Sequence, residues 1–98
     1  MSRNPPVTAT GAPNGVPLLL IHPMGADRRF WDGCRAHWNH DHRSVACDLP
    51  GAGDWAHAAP PYSFDLYVEA LVAALDRLRI DRAVVVGCAE GAMVAARF

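Results

Sequence analysis

The sequence predicts an α/β fold with a parallel sheet covered on both faces. Three observations carry that expectation. The runs at 16–22 and 83–87 are continuous and apolar, as strands buried on both sides are. Segments with helical periodicity alternate with the strands, in the order strand, helix, strand, helix, strand, helix, which argues for right-handed βαβ crossovers. Each strand also runs into a turn carrying glycine or proline before the chain continues.

Residues 1–15, "MSRNPPVTATGAPNG", read as an irregular lead-in, with "VTAT" a candidate short strand before a turn at Pro13-Asn14-Gly15. "VPLLLIH" (16–22) is the first buried strand. In "DRRFWDGCRAHW" (27–38), Phe30, Trp31, Cys34 and Trp38 fall at helical spacing and predict a short amphipathic helix, weakened by Gly33. "RSVACDLPGAG" (43–53) is a second strand entering a Gly/Pro loop. Ser63 is a suitable N-cap for the next helix, and Asp65 suits the dipole of its first turn. Leu66, Val68, Leu71, Val72, Leu75 and Leu78 form the apolar face of that helix, and Asp76, Arg77 and Arg79 its polar side. "AVVVG" (83–87) is the third strand, followed by a helix over 90–98.

The strands at 18–21, 44–47 and 83–87 are expected to be parallel neighbours. Three such strands leave two long apolar edges, which are liabilities unless something covers them. The chain therefore reads as incomplete, one domain at most, and poorly able to fold alone. About half the residues are apolar and a fifth charged, which is globular rather than disordered composition. A net charge of −1 gives no reason to expect nucleic acid or an acidic membrane as a partner. The lead-in lacks the pattern of a signal peptide, and the apolar runs fall short of the roughly 20 residues that span a bilayer. Cys34, Cys47 and Cys88 are odd in number and form no C-x-x-C pair, so no disulfide framework or zinc site is indicated, and a reducing cytoplasm is the default setting.

The chemistry turns on "GCAEG" at 87–91. A β-branched run strikes a glycine, turns over five positions and enters a small-residue helix, with the spacing of the nucleophile elbow G-x-S-x-G. Gly87 and Gly91 would then be small because strand and helix backbones approach closely around a strained central residue. The central residue is Ala89, however, and any tight βα turn accommodates two glycines. By itself the segment supports both readings. Cys88 sits one position early for a nucleophile and reads better as a small buried hydrophobe. The loop after the first strand, "HPMGAD", offers a backbone N–H at Met24 that suits a developing oxyanion. His22 reads as hydrogen-bonding the neighbouring loop rather than as a catalyst. Asp48 stands where α/β proteins bind ligands, or else caps the following turn. "HWNHDH" (37–42) matches no metal-ligand spacing and reads as a solvated connection, and neither glycine cluster gives a dinucleotide fingerprint.

Taken together, the order strand, HPMGAD, helix, strand, DLPGAG, helix, strand, GCAEG, helix resembles the N-terminal part of the α/β-hydrolase superfamily. It is most similar to the branch of haloperoxidase-like esterases and enol-lactone hydrolases. The resemblance runs from about residue 11 to 98, about the first third of a usual member. It implies that residues 1–98 are the N-terminal part of a single α/β-hydrolase domain lacking the C-terminal strands and cap. It further implies that Met24 and Glu90 supply the oxyanion amides, that Ala89 occupies the nucleophile position, and that Gly87 and Gly91 frame it. No cofactor or metal is implied. The family's acid and histidine lie downstream of the elbow, so no residue present is assigned to them. Two departures stand out: Pro23 for the usual glycine, and Ala89 for serine. A methyl group cannot attack a carbonyl, so the chain as written is expected to be inactive, by natural loss or by design. The implied parent chemistry is serine-dependent hydrolysis of a small ester, lactone or related carbonyl compound. The implied partners are that substrate and the remainder of the domain. A non-catalytic relative binding a small ligand or partner with the same pocket is the alternative.

Overall fold

The computed structural model describes residues 5–13, 15–58 and 60–98. Four strands form one sheet: β1 (Val7–Gly11), β2 (Leu18–Ile21), β3 (Arg43–Cys47) and β4 (Val84–Gly87), in the order β1-β3-β2-β4. The turn expected at Pro13-Asn14-Gly15 includes Asn14, which lies outside the described residues. As expected, β2 pairs in parallel with β3 on one side and with β4 on the other. Leu18 stands opposite both Ser44 and Val84, and Ile21 opposite both Cys47 and Gly87. The carboxyl ends of all three strands thus reach one line, where their loops meet.

The three expected strands are parallel, and a fourth makes the sheet mixed. The "VTAT" segment of the lead-in is strand β1, and it runs antiparallel to β3, with Val7 opposite Cys47 and Gly11 opposite Arg43. A short, largely exposed and polar strand suits the rim of a sheet, and β1 covers one of the two edges that three parallel strands leave bare.

Alternation along the strands fills both faces. Leu19, Ile21, Val45 and Cys47 face α2 (Phe64–Arg77) and α3 (Glu90–Arg97), burying Leu71, Ala74, Leu75 and Val94 against them. Leu20 and Ala46 face the other way and pack on Trp31, with Trp38 and Val86 alongside. Helix α2 begins as predicted: the Ser63 hydroxyl accepts from the Leu66 N–H at 3.0 Å, and Asp65 lies in the first turn. Leu71 and Leu75 of its predicted apolar face are buried, and Val68 and Leu78 pack against the same core. Val72 is exposed, and Ala70 and Ala74 are buried instead, because small side chains let the helix settle closer to the sheet. The helix ends in a Schellman pair, Ile80 N–H to Leu75 carbonyl and Arg79 N–H to Asp76 carbonyl, with Arg79 left-handed at φ 57°.

The helix predicted over 27–38 is split into a 3-10 turn, Arg28–Trp31, and α1, Asp32–Trp38. Only Trp31 and Trp38 of its predicted apolar face turn inward; Phe30 and Cys34 are exposed. The position facing the sheet between them is Arg35, only 5% exposed. Its guanidinium donates to the hydroxyls of Ser44 and Thr8, each at 2.8 Å, and to their carbonyl oxygens at 3.0 Å. Strands β1 and β3 thus supply the acceptors that make this buried cation tolerable.

Candidate functional site

The turn after β4 is built by close packing of backbones. A Cβ added to Gly87 would lie under 3.0 Å from the Gly91 carbonyl and the Ala92 nitrogen, and one added to Gly91 would lie under 3.0 Å from the carbonyls of Ile21 and His22. No larger residue lets α3 start this close to β2 and β4. Between the two glycines, Ala89 is held at φ 53° and ψ −123°, a backbone conformation that residues with a Cβ rarely adopt. Ala89 is exposed at the amino end of α3. Helical bonding begins at once, Gly91 N–H to Cys88 carbonyl and Ala92 N–H to Ala89 carbonyl, each at 2.9 Å. The Glu90 N–H has no acceptor among the described residues, as expected in the first turn of a helix.

The loop after β2 meets this turn. Ala26 N–H bonds the Pro23 carbonyl at 3.1 Å, and Gly25, at φ 85°, takes the third position of that turn, which needs a positive φ. The turn points the Met24 N–H outward, where it donates to Glu90 Oε1 at 3.2 Å. Met24 and Glu90, which the sequence reading selected for their backbone amides, are thus brought together, and the contact is made by the Glu90 side chain. Beside them opens a cleft of about 470 Å³ lined by Met24, Tyr62, Ser63, Phe64, Tyr67 and Glu90. The three aromatic residues were missed by the sequence reading, although their crowding around the Ser63 cap was a visible signal. Tyr62 and Tyr67 stack with centroids 6.4 Å apart, and Phe64 meets Tyr67 edge-on at 6.5 Å. Burial, and then proximity to Tyr62, raises the Tyr67 hydroxyl above its ordinary pKa.

The other candidates serve the framework. His22 is buried; its Nε2 accepts from the Leu49 N–H at 3.1 Å while Nδ1 lies 2.8 Å from the Pro23 carbonyl, so both ring nitrogens are engaged. Asp48, fully buried, accepts from the backbone N–H groups of Arg28 at 2.8 Å and Asp54 at 2.9 Å, and pairs with the Arg28 guanidinium. It caps and ties loops, the plainer of its two readings. Cys47 is no nucleophile: burial, reinforced by the Asp48 charge, pushes its thiol up to about 12. Cys88 packs against the cluster of Leu20, Trp31 and Ala46. His37, His40, Asp41 and His42 are exposed, and among the described residues no group of three or more His, Cys, Asp or Glu side chains is placed to hold a metal ion. Among the described residues, no helix is long and apolar enough to cross a membrane.

The model of the alpha/beta hydrolase family matches residues 18–98. The chain belongs to that family. Among curated proteins it is 34% identical over 84 residues to the dihydrolipoyllysine-residue acetyltransferase component of an acetoin cleaving system from Pseudomonas putida, covering 86% of this chain and 23% of that one. Among solved structures it is similar to a protein described as a non-heme bromoperoxidase from Mycobacterium tuberculosis, with a TM-score of 0.84, 26% identity, and coverage of 99% of this chain and 36% of that one. It is also similar to an N-acyl homoserine lactone degrading enzyme, with a TM-score of 0.80, 29% identity, and coverage of 93% and 34%. The chain thus spans about a quarter of the curated relative and about a third of the solved structures.

Proposed function

We infer that this chain carries the nucleophile elbow and oxyanion amides of a serine-type hydrolase of small esters, lactones or related carbonyl compounds, with the nucleophile replaced by Ala89. One observation carries the reading. Ala89 is held at φ 53°, ψ −123° on an exposed strand-to-helix turn, although alanine gains nothing from that strain. A serine Cβ would stand there at no greater cost, projecting its hydroxyl beside the cleft. In the parent reaction that oxygen attacks the substrate carbonyl, and the Met24 and Glu90 N–H groups receive the oxyanion. The acid and the histidine that would activate the serine are assigned to residues beyond those present here. Similarity to a lactone-degrading enzyme supports the substrate class. A reducing cytoplasm suits three free cysteines.

A second reading is favoured by Ala89 itself: a non-catalytic relative that binds a small ligand in the same cleft. The experiment that separates the two is Ala89→Ser in the complete polypeptide that carries this chain. Turnover of an activated ester and labelling by a fluorophosphonate are expected, several orders of magnitude above the Ala89 protein. Cys88→Ser in the Ala89 background is expected to stay inert, since Cys88 faces the packing under β4. An inert, unlabelled but folded Ala89→Ser protein establishes the binding reading instead.

A further inference from the structure

Of the six residues lining the cleft, Glu90 is the one that carries a formal charge at pH 7. Among the described residues, no arginine or histidine pairs with it; Arg28 and Arg29 are engaged by Asp27, Asp48 and Asp54, and Arg97 by Asp65. The amino end of α3 favours a carboxylate in its first turn, but a side chain facing solvent would serve that purpose equally. Here the carboxylate turns to a backbone N–H of a loop 66 residues away. That N–H is the donor a ligand oxygen would need.

We propose that Glu90 is a specificity-determining residue of the cleft: its carboxylate holds the Met24 amide and turns away anionic ligands, so that the cleft takes neutral or cationic carbonyl compounds and rejects carboxylates. This deepens the hydrolase reading, on which it rests, by naming the charge class of the substrate. Any ligand oxygen bound to the Met24 amide must first displace Oε1. A neutral ester or lactone meets only that competition. A carboxylate also meets the displaced charge a few ångströms away, a repulsion corresponding to about tenfold in affinity in partly solvated surroundings.

The test uses two probes of one shape and different charge, benzamide and benzoate, titrated against the complete polypeptide and read from the Met24 amide resonance. The unaltered protein is expected to bind benzamide about tenfold more tightly than benzoate. Glu90→Gln is expected to bring the ratio close to one while keeping the Met24 resonance in place, because the amide oxygen of glutamine still accepts. Glu90→Ala is expected to equalise the probes and to shift the Met24 resonance upfield. Glu90→Asp, too short to reach Met24, is expected to keep the discrimination and lose the contact. A variant that merely loosened the fold would weaken both probes alike, which is why the ratio is the readout. A ratio unchanged by Glu90→Gln overturns the proposal and leaves the hydrolase reading standing; that reading fails separately, if Ala89→Ser stays inert. Binding of neither probe to any of the proteins overturns the proposal together with the cleft as a ligand site.

Discussion

Two turns at the carboxyl ends of β3 and β4 flank the loop after β2, one on each side, and they are held by opposite means. The loop after β3 is held by charge: buried Asp48 gathers two backbone N–H groups and the Arg28 guanidinium, and Arg28 reaches on to Asp54 at 2.8 Å. The turn after β4 is held by shape, with Gly87 and Gly91 packed backbone to backbone and no side-chain bond capping α3. The first arrangement uses the donors around it. The second leaves the Glu90 N–H without an acceptor among the described residues and shares the Met24 N–H with one mobile-length side chain. Polar groups that a fold does not consume are the ones free to meet a ligand, which is why the proposed chemistry falls on the turn built from shape.

Breaking the charge-held turn gives the largest expected effect. Asp48→Ala leaves two N–H groups without their acceptor and the Arg28 guanidinium with Asp54 as its remaining partner, and a loss of about 3 to 5 kcal/mol is expected in urea unfolding of the complete polypeptide. Gly87→Ala attacks the other turn by shape alone, pushing a methyl into the Gly91 carbonyl; the expected loss is about 2 to 3 kcal/mol, with a changed environment at Ala89 visible in its amide resonance. A loss below about 0.5 kcal/mol there would mean that the close approach is not what holds the turn. Ala89→Gly acts in the other direction. It relieves the positive φ, and a gain of about 1 kcal/mol at the unfolding midpoint is expected, which would measure the strain kept at the site.

The smallest effect is one of pH. The hydrogen bond from Arg28, and then its charge, hold the Asp54 carboxyl below its ordinary value of 3.8. A carboxyl whose folded value is depressed adds stability above its unfolded value and loses it as pH falls through the folded one. The slope of stability against pH below about 4 is therefore expected to flatten slightly in Asp54→Asn. Asp54 is exposed, so salt should shrink the difference further. An unchanged slope at low salt would show that Asp48 alone carries the charge-held turn.

Much of this was legible because it is local. The three apolar runs became β2, β3 and β4 with the expected parallel neighbours, and Ser63 capped α2 as its side-chain chemistry requires. The spacing of Gly87 and Gly91 placed the turn because both glycines belong to one five-residue segment. The misreadings share a cause. Cys34 was expected on the inner face of its helix, but Arg35 is buried there instead: four acceptors from β1 and β3 make burial of the guanidinium affordable, and no spacing within α1 encodes them.

The sequence by itself therefore determined the order of the elements, the parallel core and the position of the sharp turn, since side-chain periodicity and glycine placement act over a few residues. Tertiary structure decided the rest: that β1 runs antiparallel along the rim, that Asp48 closes a loop, that Tyr62, Phe64 and Tyr67 face Met24 across a cleft, and that Glu90 reaches the Met24 amide. Those contacts join groups that lie far apart in the chain, 66 residues apart for Met24 and Glu90. Their partners become neighbours only when the strands align their carboxyl ends, and no local pattern records which donor will then meet which acceptor.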